Sequence, residues 1–558
     1  MKRSLPFVLL GLGALLLLWN LGSPALWQDE AETALRAESI LDTGLPRMTL
    51  RGVLVTTQHS LVVHEGNAQG VWTWNTWLPA YLVAASFAVL GRTPFAARLP
   101  FALSGLLALC LAWRLFSDGE EDEIIERRAW APETALALLA LSPAFLLFCR
   151  QSRYYALLPL GTVLVLHSWR RLLAKKPWGA LAVALCLQFL LHASFAFFAC
   201  ACLALMLDAV LRLDECPRAG RFWGAAALTI LLAAPAAWYF RIWDRPGNHA
   251  YGFVESLEFL KTSLLWLAVF ILPLALVAAV FIRRWILVLL GAVLLCGLVA
   301  EGPLSRLCAV AVWMVILAAA VREPAPYGVM SLRRMCLLSA VATLAVLSLA
   351  AAEPYGRYLA GLFPVVAYLV SRGFSSLARG SAPVVAGLVV VAVAGNLFFV
   401  GPLKLAQALA PAAPSASVSG MMRQRLRDQH PRSVLGLFIG EVFRGPEGYI
   451  EAAAAAMKSG GGDDFFSDAD DLSLLFATGL RPLTPGEFMT REPDWLMPSP
   501  WIRLTPELDA RVNALIASGR YDQASVDAPR LMWQNNPDPL FRAFMPETGA
   551  LPLFRRRR

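Results

Sequence analysis

Runs of about twenty apolar residues, the length that crosses a bilayer, recur from Pro6 to about Val400 and then stop. They predict spans near 6–24, 97–115, 131–149, 154–169, 177–193, 195–211, 222–240, 263–281, 285–300, 307–321, 335–352, 358–371 and 383–400. Basic residues mark alternate connections: Lys2 and Arg3, Arg127 and Arg128, Arg170 to Lys176, Arg212 to Arg221, Arg283 and Arg284, Arg322 to Arg334, and Arg372 to Arg379. Lys and Arg concentrate on the cytoplasmic side of membrane proteins, so the thirteen spans predict an N-terminus inside and a tail outside. The opposite connections, at 27–98, 150–153, near His192, 242–262, 301–306 and 353–357, then converge on the external face. One further apolar run, "WNTWLPAYLVAASFAVLG" at 74–91, breaks the alternation if it spans. With Trp72, Trp74 and Trp77 at headgroup level, it reads instead as a helix lying in the interface.

Composition agrees with this pattern. Of 558 residues, 58% are hydrophobic and 16% charged, with a mean hydropathy of +0.57; soluble domains carry about 25% charged residues. The net charge of +9 sits in the short loops and marks topology rather than nucleic-acid binding. All nine cysteines lie between Cys110 and Cys336, so neither the loop after the first span nor the tail has a disulfide framework. The start "MKRSLPFVLLGLGALLLLWNLGSPA" has the plan of a signal peptide. An uncleaved first span is the expectation, because the downstream chain is also membrane-embedded.

Directly after that span comes "ALWQDEAETALRAESILDTGLP". Its Ala, Leu and Glu favour helix, and Gly44-Leu45-Pro46 should end it. On a helix Asp29, Glu32, Thr33 and Arg36 share a face, with Glu30 about a quarter-turn away. Glu32 and Arg36 are spaced for an i,i+4 ion pair, and an acid at position 29 suits a helix N-terminus. Spacing alone leaves a catalytic and a structural role for Asp29 both open.

Three stretches then occur in order: "WQDEAETALRAESILDTGLPRM", "WLPAYLVAASFAVLGRTPFAARLPFALSGLLA" and "SPAFLLFCRQSRYYALLPLG". Together they resemble the GT-C membrane glycosyltransferases, in the group of protein O-mannosyltransferases, aminoarabinose transferases and bacterial galacturonosyltransferase-like proteins. The resemblance runs over about 5–372 and is clearest in the first 170 residues. It implies a GT-C-like domain over 1–400 of about thirteen transmembrane helices, with interfacial helices in a first periplasmic loop at 25–97. The implied activity is transfer of a sugar from a polyprenyl-phosphate donor to a lipid, glycan or protein acceptor at the periplasmic face of a bacterial inner membrane.

By the same resemblance Asp29 acts on the acceptor hydroxyl as general base or orienting group, and Glu30 positions the acceptor or tunes Asp29. Arginine binds phosphate oxygens bidentately. Arg150 and Arg153 in "CRQSRYYAL", and Arg357 with Tyr358 in "EPYGRYLAGLFPVV", are the expected donor-phosphate contacts. Many relatives carry a "PPL" motif with a nearby His or Glu-Lys before the interfacial helix. This chain has "HEGNAQGVWTWNTWLP" there, so His64 and Glu65 are assigned to acceptor or loop positioning. The spacing of His59, His64 and Glu65 is not a known metal-ligand pattern; no metal or other cofactor is expected.

The tail, 401–558, reads as a soluble periplasmic α/β domain. Strands are expected over 433–441, at the start of 463–480 and within 493–502. Helices are expected over 447–462, later in 463–480 with an N-cap at Ser467 or Asp468, and over 505–521. Two other function classes fit the pattern: a glycolipid flippase, which would need charges inside spans, and an inactive assembly subunit that keeps the fold.

Overall fold

The first apolar run is helical over Leu5–Leu18 (α1) and ends where Asn20 turns left-handed at φ 52°. The computed structural model describes residues 4–55, 65–121, 130–212, 219–242, 252–264, 302–324, 329–350, 356–378, 381–390, 392–393, 438–439, 442–443, 448–468, 470–498, 505–524, 526, 529–530, 548–550 and 552–557. Beyond α1, the polar stretch forms the helix Gln28–Thr43 (α2), closed by Gly44 at φ 79°. Only glycine adopts that conformation without a Cβ penalty. The pattern predicts one buried face, but α2 is buried on nearly every side from Glu30 to Ile40. Ala31, Ala34 and Ala37 let its neighbours approach closely.

A two-residue hairpin follows, Thr49–Leu50 (β1) against Val53–Leu54 (β2). Its turn residues Arg51 and Gly52 both have positive φ, as a type I′ turn requires. The helix Leu78–Leu90 (α3) has 13 residues. That is about 20 Å at 1.5 Å per residue, too short for a bilayer core. It packs on α2, and Trp77 meets Tyr239 and Phe240 edge-on, with ring centroids 5.2 Å apart. The run read as interfacial thus forms an apolar helix shorter than the candidate spans among the described residues.

The helix Pro94–Glu121 (α4) is a long span. The next expected span is broken into Ala131–Ala140 (α5) and Pro143–Cys149 (α6), bent by 55°. Pro143 has no N–H to continue the ladder, and Ser142 caps the new start by accepting from Phe145 N–H. Leu157–Leu173 (α7), Gly179–Ala193 (α8), Phe195–Val210 (α9) and Ala219–Phe240 (α10) follow, then the helices Pro303–Arg322, Leu332–Ala350 and Phe363–Ala378. Among the described residues five helices are long and apolar enough to cross a membrane, or six with the bent pair. The expected count of thirteen is not reached by these. Four apolar helices are shorter than a span, and the expected spans at 263–281 and 285–300 lie almost entirely outside the described residues.

On the side of the basic loops one buried carboxylate ties three helices together. Asp208 of α9 accepts from Trp169 of α7, from Arg212 at its own helix end, and from Arg334 of the helix Leu332–Ala350, at 2.5–2.8 Å. A fully buried charge is tolerated because every oxygen is hydrogen-bonded.

The tail forms a mixed five-stranded sheet from Asp464–Ser467 (β3), Arg481–Pro482 (β4), Trp495–Met497 (β5), Tyr521–Ala524 (β6) and Leu553–Arg556 (β9), in the order β4-β3-β5-β9-β6. Pro529–Arg530 (β7) and Thr548–Ala550 (β8) pair separately. β3 runs parallel to β4 and β5, while β9 is antiparallel to β5 and β6. The helices Tyr449–Gly460, Asp471–Thr478 and Pro506–Ala517 stand where the pattern places them. Two expectations fail. The N-cap of the helix Asp471–Thr478 is Asp470, because Ser467 still belongs to β3. Residues 438–439, the described part of the strand expected at 433–441, are helical.

This sheet domain is seated on the first loop through the helix Asp471–Thr478. Gln28 donates to the Asp471 carboxylate at 2.5 Å and accepts from Leu472 and Ser473 N–H. Ala25 N–H donates to Glu451 at 2.5 Å. Arg92 donates to Phe476 O and lies over its ring, which stacks on Phe87. Burial lifts the Asp471 carboxyl from 3.8 to about 7, against the opposing hydrogen bond from Gln28.

The seated form thus holds its proton more tightly than the released form. Docking is strongest below about pH 4, weakens as pH rises toward about 7 and levels off above. Hydrogen exchange across 471–478 should show less protection at about pH 8 than at about pH 5, after correction for intrinsic rates. Asp471→Asn should flatten that difference; an unchanged pH dependence would remove Asp471 as its source.

Candidate functional site

Asp29 is in the first turn of α2, where unpaired helical N–H groups favour a carboxylate. Its side chain is 20% exposed, the most open of the acids around it. Two guanidiniums flank it: Oδ2 lies 3.4 Å from Arg153 Nη2 and 3.6 Å from Arg357 Nη1. They come from distant parts of the chain. Arg153 precedes the 3₁₀ turn Tyr154–Ala156, and Arg357 sits in the 3₁₀ turn Gly356–Leu362.

Tyrosines surround this pair. Arg153 lies over the Tyr154 ring, and Arg357 lies over those of Tyr155 and Tyr358, all within 6 Å. Burial pushes the Tyr155 phenol up to about 12 and raises the Tyr154 phenol well above its ordinary value, so both remain protonated donors. Burial opposes the charge on Arg153, but Asp29, Tyr155 and Glu32 outweigh it and hold the guanidinium ionised. Four expected residues, Asp29, Arg153, Arg357 and Tyr358, are thereby brought together. Tyr154 and Tyr155 carried no signal beyond adjacency to Arg153.

Glu32 and Arg36 form the i,i+4 pair at 2.7 Å, and Glu32 also meets Arg153 at 3.0 Å. Burial raises the Glu32 carboxyl, yet Arg36 and Arg153 together hold it below its usual value. Glu65 joins this network through Arg36 at 3.4 Å, and its backbone carbonyl accepts from Thr73 and Trp74 N–H. It thus holds the loop that leads to α3. His64 and His59 lie outside the described residues.

Two expected residues have other places. Glu30 is wholly buried. Its carboxylate accepts from Arg98 Nε and Nη2 at 2.8 and 2.6 Å, from Ser152 N–H at 2.9 Å and from Trp27 N–H at 3.3 Å. With those four donors around it, it presents no face to an acceptor. Arg150 turns away from Asp29 and donates to the carbonyls of Leu16, Leu17 and Trp19, which α1 leaves open at its end. Among the described residues no group of three His, Cys, Asp or Glu is placed to hold a metal ion.

No family model matches the sequence, and no curated protein matches it significantly. Two solved structures do match in three dimensions. The structure of ArnT from Cupriavidus metallidurans in the apo state superposes with a TM-score of 0.50 at 13% identity, covering 93% of this chain and 95% of that one. The same protein bound to undecaprenyl phosphate gives a TM-score of 0.51 at 13% identity, covering 94% and 96%. This is the GT-C fold. The likeness spans the multi-pass membrane domain and the C-terminal sheet alike, since little of either chain is left uncovered.

Within this GT-C chain the Glu30–Arg98 pair is the support on which the site stands. Removing one partner of a buried, hydrogen-bonded ion pair leaves an uncompensated charge and costs about 3–5 kcal/mol. Arg98→Met should lower the thermal unfolding midpoint of the detergent-solubilised protein sharply, and Glu30→Gln, which keeps the shape, by less. A wild-type midpoint for Arg98→Met would refute the support role.

Proposed function

We propose that the chain is an integral membrane glycosyltransferase, moving a sugar from a polyprenyl-phosphate donor to an acceptor hydroxyl. The observation that carries this reading is Asp29 Oδ2 flanked by Arg153 and Arg357 in a GT-C fold. An acceptor hydroxyl gives its proton to Asp29, and its oxygen attacks the anomeric carbon. The bond from that carbon to the phosphate oxygen breaks, and the electron pair leaves with the lipid phosphate. Attack opposite the leaving group inverts the anomeric centre.

Arg153 and Arg357 neutralise the departing phosphate, with the protonated phenols of Tyr154 and Tyr155 as donors and Tyr358 beside Arg357. The donor phosphodiester carries one negative charge, as a carboxylate does, and gains a second as its bond to the sugar breaks, so it competes increasingly for the same guanidiniums. Both guanidiniums then meet the phosphate, and the Asp29 carboxylate receives the proton of the acceptor hydroxyl. The basic loops on the opposite side of the membrane support a site on the periplasmic face of a bacterial inner membrane, with the docked sheet domain beside it. The acceptor is a lipid, a glycan or a protein; nucleic acid has no place in the reaction.

Asp29→Asn should reduce transfer from a labelled polyprenyl-phosphate sugar by about 100-fold or more, the usual contribution of a positioned base. Arg153→Ala or Arg357→Ala should weaken donor binding by roughly 10- to 100-fold, as expected for a lost charge-assisted hydrogen bond. Transfer by Asp29→Asn equal to wild type would overturn the base assignment. Labelled lipid crossing vesicles without transfer would favour a flippase instead.

A further inference from the structure

Beside Asp29 lies a cleft of about 330 Å³, lined by Thr33 and Arg36 of α2, by Trp72, Asn75 and Thr76 before α3, and by Arg153. Its polar lining is unbalanced. Among the described residues, Trp72 Nε1, Thr76 Oγ1, Arg36 Nε and Arg153 Nε are buried and make no hydrogen bond. Trp72 and Thr76 are only 5% and 3% exposed. Three of these atoms are obligate donors and the fourth is a hydroxyl. The nearby acids Asp29, Glu32 and Glu65 already engage the outer nitrogens of the two arginines.

Burying polar groups without partners is unfavourable. A set of them around one cleft points to a ligand that supplies oxygen acceptors. Arg153 belongs to both places: its outer nitrogens meet Asp29, and its side chain lines the cleft. A phosphate held by Arg153 and Arg357 therefore sets the group attached to it against these donors.

We propose that this cleft binds the sugar of the lipid-linked donor, and that it selects a neutral or acidic hydroxyl-rich unit over an amino sugar. An ammonium group would add donors where donors already lack acceptors, and positive charge beside Arg36 and Arg153. The assignment rests on the transferase reading for its donor.

The test uses the purified full-length protein in nanodiscs with four probes: decaprenyl phosphate, and decaprenyl phosphate carrying glucose, galacturonate or 4-amino-4-deoxyarabinose. The glucose and galacturonate lipids should bind roughly tenfold tighter than the bare phosphate, the worth of one or two hydrogen bonds. The amino sugar should add nothing. Thr76→Val and Trp72→Phe keep shape and remove one donor each, so they should abolish the gain while leaving affinity for bare decaprenyl phosphate unchanged.

A purely structural role predicts lower melting temperatures, whereas losing an unsatisfied buried donor does not harm folding, so melting curves of both variants should match wild type. Retention of the sugar gain in both variants, tightest binding of the amino sugar, or an effect on the acceptor KM alone would overturn the proposal. Asp29→Asn separates the two readings, since it should lose transfer yet keep the sugar gain. Wild-type protein that shows the gain but transfers no sugar would sink the transferase reading and leave the cleft assignment standing.

Discussion

The end of this protein that carries the first loop is organised by one guanidinium. Arg98, near the start of α4, donates to the carbonyls of Leu21, Pro24 and Ala25 and grips the Glu30 carboxylate with two nitrogens. It therefore holds the chain leaving the first helix and the first turn of the second in one fixed relation. Removing two charges from water is expensive, so such a pair adds little net stability. It does penalise every arrangement in which either partner is alone. Its contribution is to fix geometry, and that geometry decides where Asp29 points.

Around Asp29 the charges balance locally. Asp29, Glu32 and Glu65 face Arg36, Arg153 and Arg357 in a connected series of ion pairs. Arg153 is shared between Asp29 and Glu32, so its position depends on both. The deeper acids, Glu32 and Glu65, hold arginines in place, while the more exposed Asp29 keeps contact with solvent. In a balanced cluster of this kind each charge has a partner, which matters most in a low-dielectric setting.

Legibility in the sequence tracks the range of the interactions. Local features can be read: the start and end of α2, the Glu32–Arg36 spacing, and the helix and strand order of most of the tail. Loop charge adds a longer-range inference, because external connections must meet on one side; this is why Arg153 and Arg357 can be paired with Asp29. Glu30 and Arg150 escape such a reading because both satisfy distant partners. Nothing near Glu30 in sequence announces Arg98 or the Ser152 amide, and Arg150 caps carbonyls of α1. The break at Pro143 is visible as a residue but hidden by the hydropathy around it. The donor-rich cleft is invisible, because an unpartnered Thr76 hydroxyl is a property of packing alone.

Three consecutive residues carry the larger consequence. Successive positions on a helix are turned by about 100°, so Gln28, Asp29 and Glu30 point in three directions and meet three different bodies. Gln28 is held by the C-terminal sheet domain, Asp29 by the two site arginines, and Glu30 by α4. A single turn therefore joins the docked domain, the Asp29 carboxylate and the membrane core. None of the three contacts can shift far without rotating the turn that the others share. The sheet domain belongs to the site through this turn, although the ion pairs around Asp29 include none of its side chains among the described residues.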